Sequence, residues 1–239
     1  MDYENSRRFI NAFIDIESVL EKTVKSTHHM PFYQLVDTAA QIDPFVQDIA
    51  VELKEYADLR NAIVHERIDD RPIAEPHYDV VKRLEKIRDL LESPPIAAEY
   101  FLRDVVTCEL TELLSDAAVK MLKNAFSKLP VYDGQRFVGL LTAEAITYWL
   151  ADRFLEEEKP FKQEQVSSVL KYIDQPDNHY FIAPTCSLFE ILRVFDDYRH
   201  QGKRLQAILV SSDGSKTGEL LGIITNFDLP LIYHIIEGP

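Results

Sequence analysis

The chain has 239 residues, 46% of them hydrophobic, which is enough for two sizeable cores without staples. Its 40 acidic against 26 basic residues leave a formal charge of −14, which opposes non-specific binding to nucleic acid or anionic lipid. The two cysteines, Cys108 and Cys186, lie far apart and in no metal-ligand spacing, so neither a disulfide framework nor a metal site is expected.

No apolar run approaches the roughly twenty residues that span a bilayer. The start also lacks a charged-then-apolar signal pattern. A cytoplasmic location, with no membrane partner, is the expectation.

The first part of the chain reads as helical. Phe9, Phe13, Ile16, Val19 and Leu20 recur at helical spacing, and Phe32, Leu35, Val36 and Ala39 do so in a shorter segment opened by Pro31. Asp43-Pro44 reads as an N-cap and first-turn proline, opening a longer helix through Phe45, Ile49, Leu53, Tyr56, Ile63 and Val64. A further stripe, Val80, Val81, Leu84, Ile87, Leu90 and Leu91, follows Glu75 and Pro76 and is closed by Pro94-Pro95. Amphipathic helices of this kind pack their stripes together, so residues 1–93 are expected to form an all-α bundle.

Within the bundle, Arg60-Asn61-Ala62-Ile63-Val64-His65 places Asn61 and His65 one turn apart on a helix face, with Arg60 beside them. An imidazole that exchanges protons near neutrality, next to a guanidinium that can hold a phosphate, is a kit for metal-free RNA cleavage. Arg-Asn-x-x-x-His resembles the motif of HEPN helical domains, in which paired protomers build a ribonuclease site. The other reading is interhelical hydrogen bonding at a structural or dimer contact. Nucleic acid is expected as a partner only under the ribonuclease alternative.

Beyond Pro95 the pattern changes. Leu129-Pro130-Val131-Tyr132-Asp133-Gly134 reads as a strand running into an Asp-Gly turn, followed by a strand ending Gly139-Leu140-Leu141-Thr142 and then a helix. The grammar returns in Ala207-Ile208-Leu209-Val210-Ser211-Ser212-Asp213-Gly214 and Gly222-Ile223-Ile224-Thr225-Asn226-Phe227-Asp228. Helical segments at 113–126 and 188–199 precede the two copies. Residues 96–155 and 180–239 are therefore read as repeats of strand, helix, hairpin and helix, with 156–179 as a linker.

Thr225 and Asp228 admit two chemical roles. Thr-x-x-Asp is a helix start signal, in which the threonine caps and the carboxylate accepts a backbone N–H. The same place, with unpaired N–H groups and the positive end of a helix dipole, attracts phosphate, and the carboxylate can accept from the hydroxyls of a ribose.

The repeated pattern resembles the tandem cystathionine-β-synthase (CBS) domains, or Bateman module. Lys128-Leu129-Pro130-Val131, Gly139-Leu140-Leu141-Thr142, Phe181-Ile182-Ala183-Pro184 and Gly222 to Asp228 carry the resemblance. It implies that Thr225 and Asp228 hold the phosphate and ribose of an adenine nucleotide (AMP, ADP, ATP or an adenine dinucleotide), with Ile182, Ala183 and Pro184 helping to line the base pocket. In the first repeat Ala145 stands where the ribose-binding aspartate is expected, so Thr142 lacks its partner and that site should be weak or empty. Arg204, just before the central strand of the second repeat, is the candidate to add positive charge near the phosphate.

The expected protein is thus α+β and two-domain, an all-α bundle followed by a pair of CBS (β-α-β-β-α) repeats. The resemblance implies a homodimer through the CBS pair and a regulatory ligand-binding role, with occupancy passed to the bundle. The alternatives are a ribonuclease gated by the CBS pair, through Arg60, Asn61 and His65, and a dimeric assembly module with a vestigial site. The chain has no phosphate loop, dinucleotide fingerprint, His-Glu-x-x-His or Gly-x-Ser-x-Gly.

Overall fold

The structure, a computed structural model, describes residues 3–25, 28–65, 67–68, 71–72, 74–155, 163–173 and 177–238, but not the side chains of residues 65, 67, 68, 71 and 72. The chain divides into two compact units, one ending at Pro95 and one beginning at Ile96.

In the first unit, helices α1 (Glu4–Val24), α2 (Phe32–Ala39), α3 (Pro44–His65) and α4 (Tyr78–Glu92) pack their apolar stripes inward. Phe9, Ile16, Leu20, Leu35, Leu53, Leu84 and Ile87 are fully buried, as the helical periodicity predicts. Asp43 caps α3 as read, its Oδ1 accepting from the N–H groups of Phe45 (2.8 Å) and Val46 (3.3 Å). Salt bridges clamp the helices from outside. Arg8 pairs with Glu85 at 2.7 Å, and Arg83 pairs with Glu52 through two 2.8 Å hydrogen bonds.

Two features of this unit differ from the sequence reading. Between α3 and α4 the chain makes a short antiparallel pair, β1 (Arg67–Ile68) with β2 (Arg71–Pro72). Glu75, read as the start of the last helix, lies before it, since α4 begins at Tyr78. Its Oε1 instead accepts from the N–H groups of Asn5 (3.1 Å) and Ser6 (3.3 Å), while Oε2 accepts from the Ser6 hydroxyl. A carboxylate here satisfies otherwise orphaned donors and faces the positive end of the α1 dipole.

The second unit begins with α5 (Ala97–Tyr100) and contains two three-stranded sheets of the same design. In the first, β3 (Cys108–Glu109) runs parallel to β4 (Lys128–Asp133), which pairs antiparallel with β5 (Arg136–Thr142); α6 (Leu114–Asn124) and α7 (Ala143–Leu155) belong to this repeat. In the second, β6 (His179–Ile182), β7 (Ala207–Ser211) and β8 (Leu220–Ile224) pair in the same senses, with α8 (Leu188–His200) and α9 (Leu229–Glu237). The correspondence reaches the irregularities: the register shifts at Val131/Tyr132 in one hairpin and at Val210/Ser211 in the other.

The two repeats complete each other. Residues 96–103, read as the start of the first repeat, attach instead to the second. Ala97 and Ala98 donate to the carbonyls of Cys186 (2.8 Å) and Pro184 (2.9 Å), Arg103 donates to that of Leu221 (3.0 Å), and Ala97 and Phe101 are buried in the core of Leu188, Ile191, Ile208 and Val210. Conversely, residues 164–173 attach to the first repeat. The amide of Leu114 donates to Glu164 O (2.8 Å) and that of Val166 to Glu112 O (3.0 Å), and Val166 and Val169 are fully buried beside Leu114, Met121 and Leu141. Val166 and Val169, within the segment read as a linker, are therefore part of the first repeat's core. Gly222 makes the crossing possible, because a Cβ there would lie 2.3 Å from the carbonyl oxygen of Phe101.

Candidate functional site

Thr225 follows β8 in an extended conformation (φ −129°) and caps a single 3-10 turn, Asn226–Asp228, that leads into α9. Its hydroxyl accepts from the Phe227 amide at 3.3 Å and donates to Asp228 Oδ2 at 3.0 Å. The same carboxylate oxygen accepts from the Thr225 amide at 2.7 Å. The capping role weighed from the sequence is thus present, and it uses one oxygen of Asp228. The other, Oδ1, lies 3.6 Å from the Arg103 guanidinium, which also donates to the carbonyl of Ile223. Arg103 arrives there because the crossing segment is held to β8 through Leu221 and Gly222.

Above this turn lies a cavity of about 300 Å³. Its floor is apolar, from Val105, Val106, Ala125, Phe126, Pro130 and Ile223, and its polar groups are Arg103, Asp104, Ser127, Lys128, Thr225 and Asp228. The volume stands at the lower end of the range for small-molecule sites. Both repeats contribute, since 103–106 and 125–130 precede or belong to the first and 223–228 to the second. Lys128 opens β4 and turns its ammonium toward the Phe227 ring, 5.9 Å from the centroid. Burial lowers the Lys128 pKa, partly opposed by the Asp228 carboxylate.

Thr142 occupies the matching turn of the first repeat. Its hydroxyl accepts from the Ala145 amide at 3.0 Å, and Ala145, at the aspartate's place, is buried in the core. Here the space is only about 20 Å³, lined also by Glu144, Tyr148, Tyr172, Ile173, Asn178, Arg204 and Gln206. Glu144 accepts from the Tyr148 hydroxyl at 2.8 Å and lies 3.5 Å from the Arg204 guanidinium.

The sequence-predicted residues are therefore distributed as follows. Thr225 and Asp228 come together at the 300 Å³ cavity. Arg204 lines the small space with Thr142, 3.5 Å from Glu144. Ile182, Ala183 and Pro184 line neither cavity: Ile182 is buried in the second core, and the Pro184 carbonyl accepts from Ala98. Arg103, Val105, Val106 and Lys128 were missed as cavity residues, and only the exchange of segments between repeats would have pointed to them. In the first unit, Arg60 donates to its neighbour Asn61 at 3.3 Å; the side chain of His65 lies outside those described.

No described helix is long and apolar enough to cross a membrane. Residues 97–152 match the CBS domain family. The uncharacterized protein MJ1225 of Methanocaldococcus jannaschii is 23% identical over 129 residues, covering 50% of this chain and 45% of that protein, so the chain spans less than half of this relative. Among solved structures, CBSX2 in complex with AMP superposes with a TM-score of 0.44 at 14% identity, over 60% of this chain and 98% of that one. The CBS domain pair of MJ0100, in complex with 5′-methylthioadenosine and S-adenosyl-L-methionine, gives 0.42 at 11% identity, over 59% and 97%. Residues 97–152 are thus a CBS domain, and residues 179–237 repeat its order of strands and helices, so the second unit has a tandem CBS fold.

Proposed function

We propose that the second unit is a regulatory module that binds an adenine nucleotide at Thr225 and Asp228 and passes its occupancy to the N-terminal helices. The observation that carries this reading is the Asp228 carboxylate at the edge of a 300 Å³ cavity. Its Oδ2 is held by Thr225, while Oδ1 makes no hydrogen bond among the described residues beyond its 3.6 Å ion pair with Arg103, and so can accept from a ribose hydroxyl. The apolar floor suits a base. The small volume at Thr142, about 20 Å³, supports one ligand per chain, with AMP, ADP, ATP and an adenine dinucleotide as the candidates. A homodimer through the CBS pair and a cytoplasmic location belong to the same proposal.

The test is thermal unfolding of the wild type and Asp228→Ala with each candidate. A ligand at about a hundred times its Kd adds roughly 2.7 kcal/mol, which raises the midpoint by several degrees. The expected result is a shift in the wild type that Asp228→Ala abolishes and that Arg60→Ala and His65→Ala retain. A shift that survives Asp228→Ala, or no shift with any candidate, would sink the reading.

A further inference from the structure

The two repeats also meet through a cluster of rings. Phe137, on β5 of the first repeat, is buried, and its ring centroid lies 4.8 Å from that of His179 and 5.1 Å from that of Phe181, both on β6 of the second. Tyr132 completes the group, 5.7 Å from Phe137. The contacts are edge-to-face, as ring quadrupoles prefer. The matching positions on the other side of the pair bring no ring. Tyr132 faces Phe137 as Ser211 faces Leu220, and Cys108 faces Val131 as Ile182 faces Val210, so the counterparts of Phe137 and His179 are Leu220 and Val105. The rings therefore belong to one side of this chain and not to the repeat fold as such.

His179 is the member of this cluster that can gain a proton near neutrality. Its Nδ1 lies 3.2 Å from the Asn178 side-chain oxygen, and among the described residues its Nε2 has neither a hydrogen bond nor an ion pair. The charges around it are few. Asp177, in the turn before β6, is largely exposed and lies 4.0 Å from Lys203, while Arg136, next to Phe137, pairs with Asp133 at 2.9 Å. From α8, the Tyr198 hydroxyl donates to the His179 carbonyl at 3.3 Å. Burial raises the pKa of both Tyr198 and Tyr132, so these phenols stay uncharged. A neutral imidazole fills such a place as one more ring. An imidazolium brings a second N–H donor and a charge, and the cluster offers it mostly carbon. An aromatic face can also attract a cation. Burial decides between the two effects, since it lowers the pKa of His179 against the partial opposition of the Asp177 carboxylate.

We propose that His179 is an acid-sensitive clasp between the repeats, closing the contact of β5 with β6 as a neutral ring and loosening it on taking up a proton. The repeats it joins are the two that build the 300 Å³ cavity, yet the inference stands apart from the nucleotide reading and needs no ligand for its test. A histidine whose folded pKa lies below its unfolded value of about 6.5 keeps its full contribution to stability above that value and loses it as pH falls toward the folded pKa.

NMR titration of the full chain, with the His179 ring signal identified by its absence from His179→Phe, should give a midpoint below about 6.5. Urea unfolding can be followed by the fluorescence of Trp149, the single tryptophan and a part of the first repeat's core. Between about pH 7.5 and pH 5.5, above the ordinary carboxylate range, the wild type should lose more stability than His179→Phe, in which the other histidines still titrate. The excess should be about ten-fold in the folding constant for each unit by which the ring midpoint lies below the unfolded value. Hydrogen exchange on β5 and β6, compared between the two chains at equal pH, should show protection lost in acid by the wild type alone. Should His179→Phe fail to fold, His179→Gln serves the same comparisons. A ring midpoint at or above about 6.5, or equal acid losses in the wild type and the variant, would overturn the proposal.

Discussion

Asp228 and Ala145 occupy the same place in two copies of one turn, and their side chains set the two cavities apart. The carboxylate needs room and polar partners, and it has Thr225 and Arg103 around it. The methyl group of Ala145 asks for none and sinks into the core beside Trp149. The Thr225/Asp228 pairing was legible in the sequence because it depends on residues three apart. Lys128 was legible only as part of a strand motif, since its place in the cavity depends on residues distant in sequence. The same holds for Glu52, whose partner Arg83 lies on another helix. The Arg83 guanidinium, with help from the Tyr56 hydroxyl, holds Glu52 below the ordinary glutamate range despite partial burial. A carboxylate with a depressed folded pKa contributes stability that is present above the unfolded value and lost as pH falls through the folded one. Chemical unfolding of the full chain as a function of pH should therefore show the helical unit weakening in acid below the ordinary glutamate pKa. Glu52→Gln should flatten that dependence, and an unchanged profile would remove Glu52 from the account.

Among the elements, the helices were the most legible. Their stripes recur every three or four residues over long segments, and burial follows the stripe in α1, α3 and α4. The hairpins were legible from Asp-Gly turns between β-branched runs. Gly134 and Gly214 take the positive φ (63° and 74°) that such turns require. What the local pattern did not contain is the sheet to which residues 96–103 and 164–173 attach, because an extended segment fits either edge. Gly139 and Gly222 record the difference, although they hold the same place in the two Gly-x-x-Thr motifs. A Cβ at Gly139 would meet only side-chain carbons of Ile173 and Leu170, at 3.9 and 4.0 Å. One at Gly222 would collide with the backbone of the crossing segment. Gly222→Ala should therefore cost about 1–3 kcal/mol, the usual range for overpacking, and weaken ligand binding through displacement of Arg103. Gly139→Ala should be close to neutral. Urea unfolding of both variants checks the pair, and equal losses would contradict the described crossing.

At the scale of the whole molecule, two units with separate cores explain why 239 residues suffice for both a helical domain and a tandem fold. The sequence reading put a boundary at Pro94-Pro95, where a proline pair interrupts both grammars, and the chain divides into its two compact units between Pro95 and Ile96. It read 96–155 and 180–239 as repeats joined by a linker at 156–179, whereas residues 96–103 attach to the second repeat and 164–173 to the first. Each repeat lends the other a stretch of its own approach path, so neither possesses a whole interior of its own. The arrangement resembles a splice in a rope, in which the joined ends carry load only while interlaced. Two polypeptides made by dividing the chain between 156 and 162 should each be largely unfolded alone and should recover native circular dichroism and a cooperative melt only on mixing. If such a tandem arose by duplication of a single repeat, its ancestor had to find the missing segment in a second copy of itself, and association would then have preceded fusion.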